Sequence, residues 1–223
     1  MDMLEQYLPF FTKLTPQQQA VLSQNTTRHT AKKGEIVHNG SLDCIGILIL
    51  VRGQFRVFTL SEEGREITLY RLWERDICLL SASCMLNSIQ FDVSVEAKKE
   101  TEYWKIPASV YRKVMQQAAP MANYTGELLA ARFSDVMWLM DQILYKRMDS
   151  RLAAFLLEES QLEGGRELKM THEAIARHLG SAREVVTRML KYFQSEGLVA
   201  LSRGSVTISD ETGLRKLAEE SLR

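Results

Sequence analysis

The spacing of apolar positions changes character four times along the chain. Residues 2–29 carry an amphipathic helical pattern, with Thr15 as N-cap, Pro16 in the first turn and Ala20, Val21 and Leu22 continuing it. From Thr30 to Lys105 the period shortens to that of strands. A turn at Lys33-Gly34-Glu35 precedes the branched run Ile45–Val51, and a second turn at Arg52-Gly53 leads into Gln54–Phe58, which alternates as a half-buried strand should. Glu63-Gly64-Arg65 then turns into Ile67-Thr68-Leu69-Tyr70. Short strands separated by turns predict a sandwich or barrel. Residues 108–146 return to a helical period. There Ala122, Gly126, Leu129, Phe133, Val136, Met140 and Ile143 recur at 4-3-4-3-4-3 spacing, a coiled-coil seam of about three heptads. Leu128, Met137, Trp138 and Leu144 lie beside it, and a core helix of the monomer is the competing reading.

A second helix follows over Met148–Ser160, and the interval Tyr145–Asp149 is the expected hinge. After a loop at Gly164-Gly165, the stretch Met170–Ile208 reads as two short helices around a glycine turn, then a hairpin. Thr171 suits an N-cap, Ile175, Ala176 and Leu179 give one apolar face, and Gly180 ends the first helix. Ser181 and Glu184 have capping-box spacing for a helix whose core face is Val185, Val186, Met189, Leu190 and Phe193. Ala182, Arg183, Glu184, Thr187, Arg188 and Lys191 are left facing outward. Two arginines and a glutamate at the head of such a helix suit a DNA major groove, where Arg donates to guanine O6 and N7 and Glu accepts from cytosine N4. The alternating strands on either side of Arg203-Gly204 form a wing, and residues 213–223 form a terminal helix. A solvated charged helix on an ordinary bundle is the plain alternative.

The segment G-S-A-R-E-V-V-T-R-M-L resembles the recognition helix of the CRP/FNR family of bacterial transcription regulators, with its R-E-x-V-x-R pattern. K-x-G-E-x-(I/V) from Lys32, V-x-G-x-x-x-V from Val51 and E-E-G-R-E-I from Glu62 resemble the same family in the right order. The resemblance implies an α+β chain: an N-terminal double-stranded β-helix (jelly roll) like that of cyclic-nucleotide-binding domains, a long dimerisation helix, and a C-terminal winged helix-turn-helix. It divides the chain into a sensor over 1–118, a dimerisation helix and hinge over 119–146, and a DNA-binding domain over 147–223. It makes Arg183, Glu184 and Arg188 the base readers of an inverted repeat of TGTGA-like half-sites. Thr171, His172, Ser181, Thr187 and Lys191 are then candidate phosphate contacts, and Leu129, Phe133, Val136, Met140 and Ile143 the dimer seam. Two-fold protein symmetry matches an inverted repeat. The partners expected are double-stranded DNA, a second copy of the chain, RNA polymerase and a small-molecule effector.

Composition modifies this picture little. Of 223 residues, 28 are Lys or Arg and 28 Asp or Glu, so any attraction to nucleic acid is local. Arg177, Arg183, Arg188, Lys191 and Arg203, against Glu173, Glu184 and Glu196, supply a mild basic face. No apolar run reaches the ~20 residues of a membrane span, and the acidic start M-D-M-L-E-Q-Y lacks a signal-peptide core, so a cytoplasmic location is expected. Cys44, Cys78 and Cys84 are an odd number with no C-x-x-C spacing, which argues against a disulfide framework.

The effector is the open question. Cyclic-nucleotide-binding relatives carry G-(E/D)-x-x-G-E followed by R-(S/T)-A, in which Gly and Glu hold the ribose and Arg neutralises the phosphate. In the aligned stretch Leu79-Leu80 replaces the Gly-Glu pair and Phe91-Asp92 the Arg-Ser pair, an exchange that repels a cyclic phosphodiester. Cyclic AMP is therefore not the expected ligand. The expected pocket is Cys78, Leu79, Leu80, Ser81, Ala82, Ser83, Cys84 and Met85, with Phe91 and Asp92. An uncharged small effector ranks first for it, haem second and a Cys78–Cys84 thiol switch third, while plain core packing is the simplest role for each cysteine. His29 and His38 have no spacing that marks them as haem ligands, and His172 and His178 belong to the DNA-binding part. An iron–sulfur cluster is not expected, because no cysteine precedes Cys44. No catalytic or metal site is expected. A cupin-like enzyme would share the jelly roll but needs clustered His and carboxylates where the barrel offers only His38, and an interaction module without DNA contact leaves the exposed Arg-Glu-x-x-x-Arg unexplained.

Overall fold

The computed structural model describes residues 3–40, 45–62, 64–85, 92–219 and 221, without the side chains of Met3 and of residues 83–85. Cys44, Glu63 and Phe91, and the side chains of Ser83, Cys84 and Met85, thus lie outside the described residues. The chain forms two compact units, Met1–Leu60 with Leu69–Val136 and Ser61–Thr68 with Met137–Arg223. This division runs through a long helix, whereas the sequence pattern draws its boundary at 146/147.

The N-terminal helical pattern is shorter than expected. Two 3-10 turns, Met3–Gln6 and Phe11–Lys13, precede helix α1 at Pro16–Asn25. Thr15 caps α1 in a full capping box, its N–H donating to Gln18 Oε1 at 3.0 Å while its hydroxyl accepts from the Gln18 N–H. The chain then enters strand β1, Thr27–Ala31, because β8, Thr101–Ile106, offers it an antiparallel ladder from Thr27↔Lys105 to Ala31↔Thr101. That ladder is formed with residues some seventy positions away and outweighs the local helical tendency.

Between them lie β2 (Ile36–Asn39), β3 (Ile47–Arg52), β4 (Phe55–Leu60), β5 (Glu66–Leu72), β6 (Ile77–Cys78), a 3-10 segment at Leu80–Met85 and β7 (Ser94–Ala97). They form two four-stranded sheets of order β1-β8-β3-β6 and β2-β7-β4-β5, the crossing connectivity of a jelly roll. In β3 the fully buried residues divide by face. Leu48 and Leu50 meet Phe55, Val57, Leu72, Val95 and Ala97 between the sheets, while Ile47 and Ile49 meet Leu22, Tyr111 and Val114 on the helical side. Both faces are covered, hence the unbroken apolar run. Gly53, at φ +99°, makes the turn into β4, and a Cβ there would stand 2.7 Å from the Glu100 carbonyl oxygen.

Strand β4 departs from the expected alternation, since Phe55, Arg56, Val57 and Phe58 are all buried. Arg56 lies opposite Glu96 in the register, donates to its carboxylate at 3.3 Å and rests 4.4 Å from the centroid of the Phe58 ring. Lys98 adds a second cation 3.3 Å from Glu96. Pairing and stacking let a charged side chain occupy a buried position.

The helical pattern over 108–146 resolves into α2, Ala108–Met115, and α3, Ala119–Tyr145, with Pro120 in the first turn of α3. The next helix, α4, spans Met148–Glu163, so the expected hinge interval coincides with a break between two helices. Strand β9 (Glu167–Leu168), helices α5 (His172–Leu179) and α6 (Arg183–Ser195), strands β10 (Val199–Ser202) and β11 (Ser205–Ile208) and helix α7 (Glu211–Ala218) complete the chain. Leu152, Leu156, Ile175, Val186, Leu190, Phe193 and Leu214 form their shared core. The wing gains a third strand that the sequence did not announce, in the order β10-β11-β9. Asp210 caps α7, accepting from the Gly213 N–H at 3.0 Å.

Candidate nucleic-acid interface and effector pocket

Thr171 caps α5 as its residue type predicts, its hydroxyl accepting from the Ala174 N–H at 3.1 Å. Gly180, in the left-handed region at φ +62°, ends the helix, and the Ser181 N–H donates back to the Ala176 carbonyl at 3.0 Å. This C-terminal motif displaces the expected capping box. Ser181 belongs to the end of α5, and Ala182, in extended conformation and without a side-chain cap, precedes α6. Three residues therefore separate the two helices, the interval of a helix-turn-helix.

On α6 the inward residues Val186, Leu190 and Phe193 are buried, while Val185 and Met189 are partly so. Arg183, Glu184, Arg188 and Lys191 are exposed. The structure thus places all three predicted base readers on one solvent-facing surface, with the Arg203-Gly204 tip of the wing also exposed. Thr187 is half-buried, its hydroxyl 3.0 Å from Nδ1 of His172 across the α5–α6 contact. Burial, with Arg183 and Lys191 nearby, holds the His172 imidazole below its ordinary pKa. The Thr171 hydroxyl keeps its own proton for a further partner after accepting the cap bond.

The dimer-seam residues divide along α3. Leu129 packs partly against the core beside the first sheet, and Val136 is half-buried. Phe133, Met140 and Ile143 are 67%, 46% and 40% exposed. Leu144 and Tyr145 extend the exposed apolar surface of this helix.

Of the expected effector residues, Cys78, Leu79, Leu80, Ser81 and Ala82 are buried. Cys78 and Leu80 join the core between the sheets, whereas Leu79 and Ala82 join the core on the helical side. Ser81 donates to the Gly46 carbonyl at 2.8 Å, with the Cys78 carbonyl at 3.0 Å. Asp92 is exposed beside Gly40 and does not share this burial. Burial pushes the Cys78 thiol above its ordinary pKa, which suppresses the thiolate that redox chemistry requires. His29 and His38 lie on the edge strands of different sheets; His29 stacks on Tyr103 and bonds to Thr27. Among the described residues, no three His, Cys, Asp or Glu side chains form a metal-binding group.

A polar cluster that sequence reasoning missed stands where α3 meets β5. Arg132 donates to Asp135 at 2.9 Å, and its guanidinium lies 4.7 Å from the centroid of the Tyr70 ring. Tyr70 is buried and its phenol is raised well above the ordinary range, first by burial and then by the neighbouring Cys78. The available signal was an Arg and an Asp three positions apart within an apolar helix.

Comparison with known proteins places this geometry in a family. Residues 150–217 match the model of the Crp-like helix-turn-helix domain. A crystal structure from Eubacterium rectale assigned to the CRP/FNR family is 56% identical, covering 96% of this chain and 99% of that one, with a TM-score of 0.94. The cyclic AMP receptor protein of Thermus thermophilus is 24% identical over 94% of this chain and 96% of its own length. The global nitrogen regulator of Synechococcus elongatus is 27% identical over 75% of this chain and 79% of its own. A jelly roll, a long helix and a winged helix-turn-helix with exposed arginines, together with identity at this level over nearly the whole length, give one conclusion: the chain belongs to the CRP/FNR family of DNA-binding transcription regulators.

Proposed function

We propose that the protein is a homodimer that reads an inverted repeat of TGTGA-like half-sites under the control of a small effector other than cyclic AMP. The observation that carries the reading is the exposure of Arg183, Glu184 and Arg188 on one face of α6, next to a turn in which Gly180 fixes the end of α5. Arg183 and Arg188 donate to guanine edges and Glu184 accepts from cytosine N4. Thr171, His172, Ser181, Thr187 and Lys191 contact phosphates. The uncapped first turn of α6 is compatible with a phosphate oxygen at its N–H groups. In this reading residues 1–118 sense the effector, 119–146 dimerise and 147–223 bind DNA, with RNA polymerase as the further partner.

The dimer rests on the exposed Phe133, Met140 and Ile143, an apolar face in register with the heptad spacing. The exclusion of cyclic AMP rests on Leu79-Leu80 and Phe91-Asp92 in place of the ribose- and phosphate-binding pairs. No helix among the described residues is long and apolar enough to cross a membrane. The test is fluorescence anisotropy on an inverted-repeat duplex and on single-base variants. Arg188→Ala is expected to cost ~1–3 kcal/mol and to flatten discrimination at one base pair of each half-site. If it binds the parent duplex and its variants as the unmodified protein does, the base-reading role is wrong.

A further inference from the structure

The compact unit that holds the helix-turn-helix also contains Ser61–Thr68, the end of the β4–β5 hairpin. Residues 66–68 of that hairpin meet the last turn of α5, where each residue from Arg177 to Gly180 touches a group outside the two helices of the motif. Nη1 of Arg177 lies 3.9 Å from Glu66. Nδ1 of His178 lies 3.1 Å from the Thr68 hydroxyl, and its buried ring packs on Phe155 of α4 with centroids 5.3 Å apart. The Leu179 carbonyl accepts from Arg151 of α4 at 2.7 Å. Gly180 takes the Ile67 side chain against its bare backbone, because a Cβ there would stand 2.6 Å from Ile67 Cγ1. Glycine at this position therefore admits the hairpin as well as the left-handed turn. The Arg177–Glu66 pair is long and partly exposed, so the hydrogen bond and the apolar contact carry most of the grip. The hairpin end is itself braced, with the Ser61 N–H donating to the Arg65 carbonyl at 2.8 Å and the Ser61 hydroxyl accepting from the Arg65 N–H at 3.1 Å.

The placement of this grip decides its sense. It takes hold of the C-terminal end of α5, whereas Thr171 and His172 stand at the opposite end of the helix. Arg183, Glu184 and Arg188 stay exposed while the hairpin is seated, so the contact leaves the base-reading surface open and does not mask it. Only Ser181 and Ala182 separate Gly180 from the first turn of α6, which leaves little slack between the gripped residues and the readers. We propose that Ile67 and Thr68 are positioning residues for DNA recognition. By holding His178 and Gly180 they fix the direction in which α6 leaves the turn, and so set the half-site spacing that the dimer accepts. This rests on the reading of the protein as a homodimer on an inverted repeat.

The test uses the full chain and a set of duplexes: the preferred inverted repeat, the same half-sites moved closer or farther by one or two base pairs, and a single half-site. The variant is Ile67→Ala with Thr68→Val, which removes the apolar contact and the hydroxyl. A recognition helix correctly placed a tenth of the time binds about tenfold more weakly. A loss of that order is expected on the preferred repeat, with the preference among spacings flattened and the single half-site bound as by the parent. Ile67→Val with Thr68→Ser keeps both contacts and should restore the parent profile. An unchanged spacing profile overturns the proposal. An equal loss on every duplex, the single half-site included, means a merely structural role and also overturns it. Tighter binding to the repeat would make the contact autoinhibitory, the opposite of what is proposed. Should the double variant fail to fold, Thr68→Val alone, which keeps the side-chain shape, must shift the spacing profile in the same direction, and no shift refutes the grip. Amide exchange is followed in parallel without DNA. The Gly180 and Ser181 N–H groups should exchange faster in the variant than in the parent, while those of Val186 to Phe193 keep the parent rates. Unaltered exchange at Gly180 and Ser181 refutes the grip alone, whereas a parent protein without any spacing preference refutes the inverted-repeat reading and with it the role in spacing.

Discussion

Arg188 and Lys191 both project from the exposed surface of α6, yet their chemistry separates their roles. A guanidinium at a base edge carries sequence information, whereas an ammonium at a phosphate carries only charge. Lys191→Ala should therefore weaken binding to every sequence alike and reduce the salt slope by ~1, in contrast to the single-position effect of Arg188→Ala. Affinity measured against salt on cognate and scrambled duplexes distinguishes the two. His172 gives a pH signature. Its folded pKa lies below the ordinary 6.5, so the unfolded chain takes up the proton more readily. Its stabilising contribution is complete above the unfolded value and is lost as pH falls below about 6.5 toward the folded value. His172→Gln should flatten thermal stability between pH 7.5 and 5.5. If His172 meets a phosphate, DNA raises its pKa, and binding should take up a proton that His172→Gln does not. Arg56 makes a different claim. Its removal leaves Glu96 with Lys98 as its cationic partner among the described residues, and Arg56→Ala should cost toward the low end of the ~3–5 kcal/mol seen when a buried pair is broken. Arg56→Met with Glu96→Leu should recover most of that loss, as urea unfolding would show.

Elements were legible where local chemistry decides them and obscure where a distant partner does. The caps at Thr15 and Thr171, the glycine turn at Gly180 and the wing turn at Arg203-Gly204 follow from residues within a few positions of one another. The capping box at Ser181 failed even locally, because the end of α5 claims the Ser181 N–H and moves the start of α6 along by a residue. Strand β1, the buried Arg56 and the Arg132–Tyr70 pair depend on partners tens of positions away, and no window of sequence displays them. The apolar stripe of α3 was legible as a seven-residue repeat, and in the single chain its Phe133 and Met140 are left to solvent. Phe133→Glu or Met140→Glu should convert a species of about twice 25.5 kDa into a monomer and greatly weaken binding to the inverted repeat. Sedimentation equilibrium reads the mass directly, and an unchanged mass in both variants would remove the seam.

For the whole molecule, formal neutrality has a consequence. With 28 basic and 28 acidic side chains, long-range attraction to DNA is weak, and affinity depends on the local face of α5, α6 and the wing. Non-specific binding should be correspondingly modest, so that most of the operator's advantage comes from base contacts made twice by a two-fold dimer. Selection of bound duplexes from a fully randomised pool measures this most directly, because it presupposes neither sequence nor symmetry. The account predicts enrichment of an inverted repeat whose TGTGA-like half-sites lie about one helical turn apart, with enrichment lost in Arg183→Ala and Arg188→Ala. Enrichment of a single asymmetric site, or of a symmetric site that both variants retain, would contradict it.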